Sequence, residues 1–310
     1  MDKKYVSYCF YIVILIVMVG CTKKSRESTP ILPDDFSWQK VAGNLEFPEG
    51  PAWNGENSIY LSDCYGEWIA KYKDGKIDTF LAADQKTFQQ TNGLAFDPDG
   101  YLYACEYGIG QILKISMEGN IEKYATQYQN DHFNRPNDLA FDKQGNLYFT
   151  DPKSYGQNKF DGRIFCIRKE SGEVVLVEDS LAFPNGIAFS VNYKELYVCE
   201  SALNRIVRFK VGKDGLLENK EKFIELPGGD PDGIAFDKQG NLYVAHFGGG
   251  HVYVISPEGK IIKKIKTPGK KPTNLEFGGK DLKTLYLTEV ETGGLYQARV
   301  NIAGVSLNNR

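Results

Sequence analysis

Six positions carry oxygen-donor side chains at nearly even intervals. Glu49, Asn92, Asn137, Asn185, Asp232 and Thr273 are separated by 43, 45, 48, 47 and 41 residues. None is Cys or His. Carboxylates, amide carbonyls and a hydroxyl are the donors that hard cations select. The chemistry implied is capture of a divalent ion with a flexible oxygen shell: Ca²⁺ first, then Mg²⁺ or Mn²⁺, with Zn²⁺ last. Glu49 and Asp232, brought together in a low-dielectric site, repel each other and are driven to protonate unless a cation lies between them. An ion so held acts as a Lewis acid toward a carbonyl or phosphoryl oxygen.

Each of the six opens a copy of one phrase. The copies begin Glu49-Gly50-Pro51-Ala52-Trp53, Asn92-Gly93-Leu94-Ala95-Phe96, Asn137-Asp138-Leu139-Ala140-Phe141, Asn185-Gly186-Ile187-Ala188-Phe189, Asp232-Gly233-Ile234-Ala235-Phe236 and Thr273-Asn274-Leu275-Glu276-Phe277. A period in the forties with recurring strand signals marks a β-propeller, one blade per repeat. The second repeat is the clearest: an inner strand ending at the turn Asp97-Pro98-Asp99-Gly100, then strands over 101–105, 111–115 and 120–124. The last copy has only three strands, and Ser37-Trp38-Gln39-Lys40-Val41 precedes the first. This segment is expected to supply the missing outer strand and close the ring without an unpaired edge. The fold class is therefore all-β: a six-bladed β-propeller over residues 36–310, four antiparallel strands per blade. The phrase starts each innermost strand, so its first residue lies at one mouth of the central channel. Asn-Gly and Asp-Gly are also ordinary turn dipeptides. Turn chemistry accounts for Gly and for the Pro before five ring residues (Pro48, Pro136, Pro184, Pro231, Pro272), but not for a Glu and an Asp in the ring.

A second set lies 14 to 16 residues after the first: Asp63, Glu106, Asp151, Glu200, His246 and Glu289. The second strand runs antiparallel to the first, so its end returns to the same mouth. An acidic, partly aromatic vestibule is expected there, with Tyr65, Trp68, Tyr107, Tyr155 and Phe247 nearby. Asp151 and His246 are candidate substrate contacts within it.

Net charge is −3, with no basic stripe or RNA-binding aromatic motif, and this disfavours nucleic acid as a partner. Lys3 and Lys4 precede an apolar run from Tyr8 to Val19, followed by Gly20-Cys21. That order describes an export signal, and Val17-Met18-Val19-Gly20-Cys21 resembles a bacterial lipobox. Residues 1–21 are expected to be a lipoprotein signal with Cys21 as lipidation site, and 22–35 a polar, Pro-containing tether. The expected location is a bacterial membrane, facing the periplasm or cell surface, with membrane contact through the N-terminal lipid only. An uncleaved anchor helix is the alternative, though the run is short for a span. Cys64, Cys105, Cys166 and Cys199 are expected to be isolated buried thiols.

Beyond the ring itself, Phe47-Pro48-Glu49-Gly50-Pro51, Asn134-Arg135-Pro136-Asn137-Asp138, Tyr148-Phe149-Thr150-Asp151-Pro152, Phe183-Pro184-Asn185-Gly186 and Phe247-Gly248-Gly249-Gly250 carry a resemblance. Over residues 36–300 the chain resembles the gluconolactonase, regucalcin and luciferin-regenerating enzyme family of six-bladed, calcium-dependent propellers. The resemblance implies a metal held by Glu49, Asn185 and Asp232, with Asn137 added as in related fluorophosphatase-like propellers. It implies substrate contacts from Arg135 and Asn137, and Asp232 as proton donor and acceptor. Because a metal-bound carboxylate is a poorer base, Asp138 and Asp151 are further candidates for that role on chemical grounds. Lys153-Ser154 and His246 depart from the commoner family residues and bear on substrate shape. The expected activity is metal-dependent hydrolysis of a small lactone, a sugar lactone above all, with no protein partner implied. The alternatives are phosphotriester or fluorophosphate hydrolysis at the same ion, and a propeller that binds a ligand without catalysis.

Overall fold

The computed structural model describes residues 29–305. Short strands rich in Leu, Ile, Val and aromatic residues alternate with Gly- and Asp-bearing turns, and they pair locally into six antiparallel sheets of four. Each sheet is one blade. The inner strands are Pro48–Trp53, Thr91–Phe96, Leu139–Phe141, Pro184–Phe189, Asp230–Phe236 and Pro272–Gly278. Their second strands end at Asp63, Glu106, Asp151, Glu200, Phe247 and Glu289. Among the described residues the only helical piece is a three-residue 3₁₀ turn, Ser201–Leu203.

The ring closes as expected. Gln39–Ala42 pairs antiparallel with Gly294–Arg299 and becomes the outer strand of the sixth blade. The apolar core lies between blades: Tyr60 against Phe96, Tyr103 against Phe141, Tyr148 against Phe189, Tyr197 against Phe236 and Tyr243 against Phe277 repeat one edge-to-face contact around the ring. Hydroxyls add a second inter-blade tie near the ring. Ser62 donates to the Asn92 carbonyl, Thr150 to Asn185, Ser201 to Pro231, and Thr273 to Pro48.

The expected tether, residues 22–35, overlaps the fold at its C-terminal end, and residues 22–28 lie outside the described ones. Ile31, Leu32, Phe36 and Trp38 pack on the core between the fifth and sixth blades, and Asn301 holds the carbonyls of Pro30 and Ile31. Burial of those four apolar side chains accounts for the order there. The proposed signal, and Cys21 with it, lies outside the described residues. The four cysteines of the propeller are buried free thiols.

Candidate metal centre and its cup

At one end of the channel, Glu49, Asn92, Asn137, Asn185 and Asp232 line a single open cup of about 690 Å³. All five are buried to at least nine-tenths. The phrase places them there because each inner strand starts at the channel axis. Glycine lets the strands converge: a Cβ on Gly50 would stand 2.3 Å from the Asn92 carbonyl oxygen, and one on Gly186 2.1 Å from that of Asp232. The Gly of Asn-Gly and Asp-Gly is thus a requirement for close backbone approach between blades. The sixth member departs from expectation. Thr273 directs its hydroxyl to Pro48 and to Thr288, at 2.7 and 2.8 Å, and offers no oxygen to the cup.

Two blades break the Gly rule, on opposite sides of the ring: Asp138 and Asn274 stand where the other four carry glycine. A Cβ on Gly93 would meet Asp138 Oδ1 at 2.5 Å, and one on Gly233 would meet Asn274 Oδ1 at 2.0 Å, so the glycines make room for these two side chains. Asn274 Oδ1 accepts from Leu275 N–H at 2.8 Å, which leaves its amide NH₂ for the Glu49 and Asp138 carboxyls. Asp138 and Asn274 also line the channel cavity that continues beyond the ring, and so form the floor of the cup. The signal for this floor was present in the second column of the repeat, where Asp and Asn replace Gly.

Three carboxyl groups therefore meet out of water. Burial pushes Glu49 up to about 8, against the lowering effect of the Gly50 N–H and with the charge of Asp138 adding to the rise. Burial pushes Asp138 up to about 7. Asp232 is held well above the ordinary carboxylate range by burial, then by the charges of Glu49 and Asp138. Its Oδ1 is buried with no hydrogen-bond partner among the described residues. An orphaned carboxylate oxygen, a second carboxylate and three amides facing one space fit a hard divalent cation.

The second set does something other than expected. Asp63 accepts from Phe47 N–H at 2.7 Å and from the Trp68 indole at 2.9 Å. Glu106 accepts from Gln89 and Ile109 N–H. Asp151 accepts from Arg135 N–H at 2.8 Å and from the Arg163 guanidinium at 2.7 Å. Glu200 takes Ala182 N–H and Arg205, Glu289 takes Lys271 and Thr292 N–H, and His246 Nε2 donates to the Leu226 carbonyl at 2.8 Å. Every one is buried. Each side chain turns back into its own blade and braces the segment entering the inner strand. Asp151 and His246 are accordingly absent from the cup wall, and burial lowers the His246 imidazole's proton affinity. The acidic vestibule is not formed, because backbone N–H groups that need acceptors lie closer than the mouth.

The aromatic half of that expectation holds. Tyr65, Tyr107, Tyr155 and Phe247 line the cup, joined by Phe47 and Phe183, which sequence reasoning did not single out. Both sit two residues before a ring residue, and that shared offset was the available signal. Trp68 is tied to Asp63 instead. Arg135 stands at the rim, exposed, its guanidinium 5.4 Å from the Tyr107 ring and within 3.2 Å of the Tyr107 hydroxyl. Cys64 also faces the cup, and burial pushes its thiol up to about 12, which leaves it unreactive at neutral pH.

Comparison with known proteins shows what the chain as a whole is similar to. The chain is 31% identical over 300 residues to a gluconolactonase of Zymomonas mobilis, covering 86% of this chain and 83% of that one. It is 28% identical over 297 residues to the diisopropyl-fluorophosphatase of Loligo vulgaris, covering 86% and 93%. A solved structure of a Xanthomonas campestris gluconolactonase superposes with a TM-score of 0.77 at 25% identity, covering 89% of this chain and 99% of that one. Residues 47–291 match the family described as SMP-30/Gluconolactonase/LRE-like region, and the chain belongs to that family.

Proposed function

We propose that this protein is a calcium-dependent lactonase that opens a sugar lactone. The observation that carries the reading is the convergence of Glu49, Asn137, Asn185 and Asp232 on one cup, with Asp232 Oδ1 buried and unpartnered. These four would hold the ion, and Asn92 contributes a further amide to the same wall. When bound, the cation supplies Lewis-acid stabilisation for the carbonyl oxygen that becomes negative as water attacks.

The chain's own residues account for the remainder. The water oxygen adds to the lactone carbonyl carbon, the acyl carbon–ring oxygen bond breaks, and a hydroxy acid results. Asp232 takes the water proton on its carboxylate and returns it to the departing ring oxygen. Asn185 hydrogen-bonds that carboxyl and orients it. Asn274 fixes Glu49 and Asp138 beneath the site, so the carboxyls are positioned before substrate arrives. Arg135 at the rim is placed to hydrogen-bond substrate hydroxyls or the ester oxygen. The relatives named gluconolactonase and 6-deoxy-6-sulfogluconolactonase support the sugar lactone class.

Export and lipid attachment at Cys21 are part of the proposal and rest on the sequence of the first 21 residues. The test of the catalytic reading is the Asp232→Ala variant, assayed for opening of aldonolactones with calcium present. Activity should fall on the order of 10²-fold or more. Undiminished turnover would remove Asp232 from the mechanism. A protein that opened phosphotriesters and no lactone would belong with the fluorophosphatase relative instead.

A further inference from the structure

Six of the fourteen residues that line the cup are aromatic: Phe47, Tyr65, Tyr107, Tyr155, Phe183 and Phe247. They come from five blades and form a wall above the oxygen donors. We infer that the substrate is larger than a single sugar lactone: it presents its lactone to the floor and carries an apolar, aryl-bearing group that packs against this wall. The inference rests on the lactonase reading and names the substrate class of the same site.

Three observations carry it. First, several polar groups of the wall are already engaged with protein. The Tyr155 hydroxyl donates to Asp230 Oδ2 at 2.9 Å, Asn204 Nδ2 donates to Asp230 Oδ1 at 3.3 Å, and Ser201 donates to the Pro231 carbonyl at 2.7 Å. The acids that a polyol would have used are turned into the blades. Buried hydroxyls without partners are costly, so a fully hydroxylated ligand is poorly matched to the wall, although the ring amides of Asn92, Asn137 and Asn185 suit a sugar ring. Second, the rings are organised in pairs before any ligand binds. Phe47 and Tyr65 lie 4.7 Å apart at 49°, and Tyr155 and Phe183 lie 5.2 Å apart at 72°. Such pairs leave ring faces and edges free to receive another aromatic group. Third, Tyr65 and Tyr155 are 53% and 59% exposed at the rim. Exposed large rings gathered at one mouth mark a ligand surface.

The test uses the intact, calcium-loaded protein and a matched pair: glucono-1,5-lactone and its 6-O-benzyl derivative. The benzyl lactone should be opened with kcat/KM on the order of tenfold higher or more. Tyr65→Ala and Phe247→Ala, made separately, should each shrink that advantage, read as the ratio of kcat/KM for the two lactones. Equal rates on the two lactones in the unaltered protein, or an advantage that survives both substitutions, overturns the inference. Should neither lactone be opened, the lactonase reading fails, and calorimetric binding of 6-O-benzylgluconate against gluconate decides the inference alone. Binding at least tenfold tighter for the benzyl compound upholds it, and equal binding overturns it.

Discussion

At the residue scale, charge determines behaviour. Glu49 has a carboxyl at about 8 in the folded, metal-free chain against 4.5 as its ordinary value. The folded state therefore holds a proton that the unfolded chain releases. For a raised group, that stabilisation is complete below about 4.5 and is lost as pH rises through about 8. Asp138, raised to about 7 from 3.8, acts in the same direction. Chelated protein should melt at progressively lower temperature between about pH 5 and pH 8. Added calcium should raise the melting temperature more at pH 8 than at pH 5, because it replaces the protons. A melting temperature indifferent to pH in the chelated protein would contradict the buried-carboxylate account. Burial raises Asp151 as well, but its acceptor sites are used by Arg135 N–H, Asn134 and Arg163, which oppose the rise. Asp151→Asn should cost about 2–3 kcal/mol in denaturant unfolding and change kcat less than threefold. A large loss of kcat with unchanged stability would return Asp151 to the reaction.

At the scale of the strand and turn, the repeated phrase does two jobs that its sequence shows unequally. Its apolar positions state the fold, since Leu94 and Phe96 and their copies point between blades on every inner strand. The first column was legible as a ring because repetition puts Glu49, Asn137, Asn185 and Asp232 at equivalent places. The exchange of Thr273 for an inter-blade hydrogen bond was not legible, since a hydroxyl serves as donor or ligand equally well. The second set was misread for a related reason. Its spacing is right for the mouth, but no sequence pattern reports that Phe47 N–H or Arg135 N–H is waiting for an acceptor. The second column carries its own prediction. Gly186→Ala places a methyl 2.1 Å from the Asp232 carbonyl oxygen. It should destabilise the protein by about 1–3 kcal/mol and weaken calcium binding, measured by denaturation and calorimetry. An equal substitution at Gly240, where the nearest atom to a Cβ is 3.4 Å away, should leave calcium affinity intact.

At the scale of the whole molecule, closure follows from one segment. Gln39–Ala42 completes the last blade, and the chain before it lies along the fifth and sixth blades to Pro30. Asn301, which holds Pro30, follows the strand Gly294–Arg299, whose far end pairs with Thr284. Thr284 pairs with Gly278 and so lies at the end of the blade away from the ring residues. Pro30 thus lies on the face of the propeller opposite the cup. Cys21→Ser should abolish palmitate incorporation in cells and release an active protein, and labelling that persists would locate the lipid elsewhere. Truncation through residue 42 should lower the melting temperature sharply, whereas truncation through residue 28 should not, because only the longer cut opens the ring. The central claim, that the carboxylate and amide ring works through a divalent ion on a lactone, is tested most directly by following glucono-1,5-lactone hydrolysis through chelation and calcium return. The account predicts that enzymatic opening disappears when the metal is removed and recovers when calcium is restored. Hydrolysis that continues undiminished in protein verified to be metal-free would contradict it.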